Sequence, residues 1–259
     1  MPRRPIIAFA TSKGGAGKTT SLIILASVFE KKGGKVAVID TDPANALWRW
    51  ATKPGTPKNI FPYRASTAEE MLDAIDEAEQ TCHLILIDVE GRASDLGTSA
   101  IAKASLVVIP VQPSEPDGVE ASKTIRAVRA VERSIERPKK FCTVLNALPG
   151  AIRGRTFYDI VETFAKNDIS IAAHLTNREI YKRMLMDGGT IYTIEDLTDR
   201  QRATAQKEAF EFADNIALLV GLRKEEGASR PTVEAAEGII QASKEAVTQM
   251  RNRKRKKAS

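Results

Sequence analysis

Lys13-Gly14-Gly15-Ala16-Gly17-Lys18-Thr19-Thr20 is the stretch from which the rest of the chain is read. An apolar run, Ile6-Ile7-Ala8-Phe9-Ala10, precedes it and reads as a buried strand. Leu22-Ile23-Ile24-Leu25-Ala26 follows it with the apolar density of a helix packed on a sheet. Strand, glycine loop and helix together form the context of a phosphate-binding loop. Glycines let successive N–H groups converge without Cβ collisions, and the helix N-terminus adds partial positive charge. In such a loop Lys18 reaches the β- and γ-phosphates and Thr19 holds Mg²⁺. The pattern departs from Gly-x₄-Gly-Lys-Thr at its first position, where Ser12 stands, and it carries a second lysine, Lys13. A dinucleotide site does not fit, because the third glycine of Gly-x-Gly-x-x-Gly is missing.

Lys13 to Thr19 resembles the deviant Walker A box of the ParA/MinD family, ATPases that alternate between a monomer and a nucleotide-sandwich dimer. The resemblance implies that Gly14, Gly15, Ala16, Gly17, Lys18, Thr19 and Thr20 wrap ATP or ADP. It also implies that Lys13 reaches across a homodimer to the other subunit's phosphates.

The remaining acids stand where such a site needs them. The strand Lys35-Val36-Ala37-Val38-Ile39 runs into Asp40-Thr41-Asp42-Pro43, and ligands of open parallel sheets sit at the carboxyl ends of strands. Taken alone, either aspartate could instead cap the following turn. The resemblance makes Asp42 the residue that orients the attacking water, with Asp40 supporting the Mg²⁺ water shell. His83-Leu84-Ile85-Leu86-Ile87-Asp88 is a second buried strand ending in an acid, a Walker B pattern that puts Asp88 near Mg²⁺ through water. Prolines common in the family after this point are replaced by Val89-Glu90-Gly91-Arg92, where Glu90 is either a γ-phosphate sensor or a solvated loop residue. Phe141-Cys142-Thr143-Val144-Leu145-Asn146 ends in an amide; the resemblance makes Asn146 an adenine contact, and without it Asn146 is an ordinary strand-end residue.

Between these boxes, Trp48 and Trp50 serve either core packing or an interface, and Leu47, Arg49 and Trp50 resemble the VirC-type branch of ParA-like proteins. Pro54 to Pro57 and Pro62 predict a loop, Ala68 to Gln80 an amphipathic helix, and Leu106-Val107-Val108-Ile109-Pro110 a strand followed by a loop through Asp117. After Gly118 a helix carries Val119, Ile125, Val128 and Val131 on one side, with Lys123, Arg126 and Arg129 as an ordinary solvated face. A last helix, Gln201 to Leu219, has Phe210, Ala213, Ile216 and Leu219 as its packing face. Cys82 and Cys142 read as buried thiols, too few for an iron–sulfur site.

The net charge of +6 is localised. Six basic residues, Arg251, Arg253, Lys254, Arg255, Lys256 and Lys257, stand in 251–259 without an acid, whereas positions 1–250 hold 33 of each sign. Such a run attracts polyanions. The stretch 232–259 has no aromatic residue and no leucine, so an amphipathic membrane anchor is disfavoured and non-specific DNA is the predicted partner. Further candidates for DNA contact are Arg153, Arg155, Arg178, Lys182 and Arg183, each of which is otherwise a solubilising surface base. An apolar signal segment and a membrane-spanning run are both missing from the sequence, which predicts a cytoplasmic, nucleoid-associated protein.

The predicted fold is a doubly wound α/β domain with a mostly parallel sheet over residues 1–221, then a linker and basic helical tail over 222–259. The resemblance implies slow Mg²⁺-dependent ATP hydrolysis by Lys13, Lys18 and Asp42, stimulated by a ParB-like or other partner protein and used to partition or position DNA. The alternatives are a MinD-like membrane-associated ATPase and a metabolic or assembly enzyme on the same fold.

Overall fold

Strand β1 (Ile6–Phe9) alternates, sending Ile7 and Phe9 into one core and Ile6 and Ala8 into another. A strand buried on both faces belongs to the centre of a sheet covered by helices on each side. The computed structural model describes residues 4–89, 94–149, 155–195 and 197–223. After β1 follow α1 (Lys18–Lys31), β2 (Val36–Asp40), α2 (Ala46–Ala51), β3 (Ile60–Arg64), α3 (Ala68–Thr81), β4 (Leu84–Asp88), α4 (Asp95–Lys103) and β5 (Leu106–Val111). The chain continues with α5 (Glu115–Ile135), β6 (Phe141–Leu148), α6 (Arg155–Lys166), β7 (Ile171–Thr176), α7 (Glu179–Asp187) and α8 (Asp199–Leu219). All seven strands are parallel, in the order β3-β2-β4-β1-β5-β6-β7.

Helices α1, α2, α7 and α8 cover one face of the sheet, and α3, α4, α5 and α6 the other. The sheet therefore has the doubly wound architecture expected from the sequence. Its strand order reverses at β1, because the chain leaves β1 for β2 on one side and only later reaches β5 on the other. The crevice at that reversal, above the carboxyl ends of the strands, is where such sheets bind ligands.

Several local expectations change. Pro62 lies inside β3, not in a loop, opposite Val38. The strand is at the sheet's edge, and since Ala65 donates to Asp40 on the inner side, Pro62 turns its missing N–H outward. Helix α5 begins three residues before Gly118, because the Ser114 hydroxyl accepts from the Asp117 N–H and Pro116 occupies the first turn. On that helix Val119 is exposed, and the buried line is Asp117, Ala121, Thr124, Val128 and Val131. In α8 the packing face is Ala205, Ala209, Phe212, Ala213 and Ile216; Phe210 is 48% exposed, with the Lys32 ammonium 4.5 Å from its ring centroid. Trp50 is core, its indole N–H donating to the Gly189 carbonyl at 2.8 Å, while Trp48 is half-buried beneath the Arg64 guanidinium. Cys82 and Cys142 are buried free thiols, and burial pushes the Cys142 thiol up to about 12. Of the expected linker and basic tail over 222–259, all but Leu222 and Arg223 lies outside the described residues.

The edge of the sheet at β7 is locked to α8 by one carboxylate. Glu208 accepts both the Nε and Nη2 donors of Arg178, at 2.8 and 2.6 Å, and also the Thr176 and Tyr181 hydroxyls. Burial pushes this carboxyl up, but the Arg178 and Thr176 bonds outweigh burial and hold it below its ordinary value of 4.5. A depressed carboxylate contributes stability above its unfolded pKa and loses it as pH falls through the folded one. Glu208→Gln is therefore expected to cost about 2 kcal/mol at neutral pH in urea unfolding. That deficit should shrink as the pH is lowered from 7 to about 3.

Candidate functional site

The loop from Thr11 to Gly17 leaves β1 at the sheet's reversal and enters α1 with unusual backbone geometry. Gly15 and Gly17 have φ of 81° and 92°, and Gly17 is the N-cap of α1. A Cβ on Gly17 would stand 2.6 Å from the Asn146 side-chain nitrogen, so glycine is required there by both conformation and space. Helix α1 starts with no side-chain cap and no acid in its first turn, leaving its N–H groups to an anion. Lys18, in that first turn, is buried.

Beneath the loop lie the strand-end carboxylates. Register pairs Asp40 with Asp88 across β2 and β4, and Phe9 with Asp88 across β1 and β4, so both acids emerge beside the loop. Asp88 is 1% exposed; its Oδ2 accepts the Thr19 hydroxyl at 2.5 Å. Its Oδ1 is buried without a hydrogen-bond partner. Burial raises Asp88 to about 7, against the lowering effects of the Thr19 bond and the Lys18 charge, and Asp40 and Asp42 push the same way as burial. Asp40 is also raised by burial, although it accepts the Trp48 and Asp42 N–H groups at 2.8 and 3.0 Å. Asp42 is half-buried and uses Oδ1 to accept the Ala44 N–H, the turn-capping geometry, with Oδ2 left without a partner among the described residues.

An orphaned, desolvated carboxylate oxygen beside a threonine hydroxyl fits a hard divalent cation, although no group of three acids or histidines among the described residues is set to hold one. Thr19 and Asp88 are the residues that would hold Mg²⁺, with Asp40 bordering the same pocket.

Five of the expected site residues have partners within the chain. Lys13 is docked on its own chain: its ammonium is 3.0 Å from Asp117 Oδ2, with the side chains 43% and 4% exposed. Asp117 also accepts the Ser114 hydroxyl. Asn146 is a buried brace under the loop, its amide N–H₂ reaching the Ala16 carbonyl at 3.0 Å and the Ser21 hydroxyl at 2.8 Å. Arg178 is the Glu208 clamp described above and is not a free surface base. Lys182 pairs with Glu179 at 3.6 Å and Arg183 with Asp187 at 3.1 Å, both within α7. Glu90, Arg153, the Arg155 side chain and Arg251 to Lys257 lie outside the described residues.

Residues not singled out from the sequence complete the loop. Gln112, just after β5, donates to the Gly15 carbonyl at 2.7 Å. The Ser12 hydroxyl donates to Glu120 Oε2 at 2.6 Å, and the Ser12 N–H donates to the Thr124 hydroxyl at 3.1 Å. The strand-end position of Gln112 and the Ser-x-x-Asp start of α5 were usable signals; nothing in the sequence pointed to Ser21, Glu120 or Thr124.

Comparison with known proteins places this geometry. Residues 5–221 match the protein family described as VirC1 protein. The protein ParA of Rhizobium radiobacter is 28% identical over 221 residues, covering 85% of this chain and all of that one. Among solved structures, Cyanothece McdA in complex with ATP superposes with a TM-score of 0.68 at 14% identity, covering 86% of this chain and 98% of that one. The septum site-determining protein MinD of Pyrococcus horikoshii, complexed with Mg-ADP, gives 0.61 at 15% identity over 86% of this chain and 99% of that one.

If Asn146 braces the loop, Asn146→Ala leaves the Ala16 carbonyl and Ser21 hydroxyl without their partner. ADP affinity is then expected to fall about tenfold in titration calorimetry. Unchanged affinity would remove Asn146 from the loop's support.

Proposed function

The chain belongs to the VirC1 family, and from that premise we propose that it is a ParA-like ATPase that dimerises on ATP, binds DNA non-specifically and positions DNA through stimulated hydrolysis. The observation that carries the reading is the Asp88 carboxylate, buried, raised and half-satisfied by Thr19 under a glycine loop. The ATP and Mg-ADP bound by the structural relatives support the same ligands here. In this reading Mg²⁺ supplies charge neutralisation at the phosphates.

The chain's own residues do the positioning. The N–H groups from Gly14 to Thr19 direct themselves at the β-phosphate, and Lys18 holds charge at the β- and γ-oxygens. Asp42, with a free Oδ2 at the crevice, orients the attacking water. Lys13 leaves Asp117 and completes the second subunit's site, so that hydrolysis and dimerisation are one event. DNA bound by the dimer is released when a stimulating partner protein accelerates turnover. The protein works in the cytoplasm on the nucleoid; among the described residues no helix is long and apolar enough to cross a membrane.

Two substitutions test the reading. Lys13→Ala is expected to keep the fold and bind ATP as a monomer in size-exclusion chromatography with ATP present; a persisting dimer would sink the cross-subunit role. Asp42→Ala is expected to retain ATP and lose at least ~100-fold in turnover, measured by phosphate release. Turnover equal to the parent's would remove Asp42 from the reaction.

A further inference from the structure

Helix α5 leaves the nucleotide loop and carries a row of arginines along its outer side. Its inward line is Asp117, Ala121, Thr124, Val128 and Val131. Arg126, Arg129 and Arg133, spaced by three and four residues, fall on the opposite, exposed crest. Ser122, one turn before Arg126, and Ala130, between Arg129 and Arg133, are small, and neither an acid nor a bulky apolar residue stands on the crest between 122 and 133. Arg126 and Arg133 have no ion pair among the described residues, whereas Lys123 is taken up by Glu120 and Arg129 by Glu132 on the flanks. Arg129 also lies over the Phe141 ring, 5.0 Å from its centroid, so its guanidinium is engaged within the chain.

This is local excess on a body of balanced charge. Positions 126–140 contain six basic and two acidic residues, against 33 of each sign in 1–250. The bases of α7, in contrast, face acids of their own helix or of α8. Along a helix Arg126 and Arg133 are about 10 Å apart, matching roughly three phosphates of one DNA strand. Guanidinium forks hold phosphate oxygens in pairs, and small neighbours let the strand approach.

The same helix grips the loop. Asp117 holds Lys13, and Glu120 and Thr124 hold Ser12, two residues before Arg126. The loop is thus tied directly to the helix that carries the crest. We propose that Arg126 and Arg133 form a DNA-backbone surface whose placement is set by the nucleotide loop through Ser12 and Lys13. The proposal rests on the DNA-binding reading above and assigns its site to the body of the protein.

The test is fluorescence anisotropy of a random-sequence duplex with the full chain, Mg²⁺ and ATP over a salt series. Arg126→Ala/Arg133→Ala is expected to bind about tenfold more weakly, and its log–log salt slope to fall by about 2, near 0.9 per lost phosphate contact. Arg126→Lys/Arg133→Lys should keep the slope, and ATP affinity should equal the parent's in both. A parent that binds no DNA overturns the DNA reading itself. A parent that binds, with an alanine variant of unchanged affinity and slope, overturns only the α5 assignment. A slope lost solely on removing 251–259 does the same, as does a fall in ATP affinity in the alanine variant.

Discussion

Asp88 ends a strand buried on both faces, and one of its oxygens meets the Thr19 hydroxyl while the other meets no donor. A carboxylate in that position is costly by itself, because burial disfavours its charge and the nearby Asp40 and Asp42 add repulsion. The fold keeps it there by geometry: three adjacent parallel strands, β2, β4 and β1, fix Asp40 and Asp88 under the one loop that supplies opposite charge. Lys18 and the α1 N-terminus supply part of that charge within the chain. The second oxygen of Asp88 has no hydrogen-bond partner among the described residues to offset the rest.

The loop's shape depends on side chains far from it in sequence. Asn146 and Ser21 support it from below, Gln112 ties Gly15 from β5, and Ser12 and Lys13 lean on α5. Each of these comes from a strand end or a helix start at the same edge of the sheet. Replacing the usual first glycine by Ser12 is thereby explained: its hydroxyl and N–H connect the loop to Glu120 and Thr124, contacts a glycine could make only in part. Lys13 pairs with Asp117 and also acts on the Glu120 charge, with its own side chain half-exposed.

What was legible in the sequence was what repeats or is chemically restricted. Apolar runs ending in Asp40 and Asp88 identified central strands, and the glycine–lysine box identified the phosphate loop, because few other uses combine those residues. Local contradictions hid the rest. Pro62 argued against a strand that exists only because it is on the edge with its ring nitrogen outward. Phe210 and Phe212 are equally apolar, and only packing against the α1 side of the sheet selects Phe212. Arg178 looked like any surface base until Glu208, thirty residues later, was brought beside it. Asn146 faces the Ala16 carbonyl across 130 positions of sequence, a pairing no local pattern encodes.

The strand order also governs when this site can exist. β1 is the first strand made, yet its two neighbours, β4 and β5, are completed only at Asp88 and Val111, and the Asn146 brace comes later still. Contacts of such sequence separation form late, because loop closure must precede the gain they bring. The apolar β1 segment therefore lacks both of its sheet neighbours until the chain has reached Asp88 and Val111. The phosphate loop thus precedes in sequence the side chains that support it, and a chain that has not reached Asn146 lacks the brace beneath Ala16.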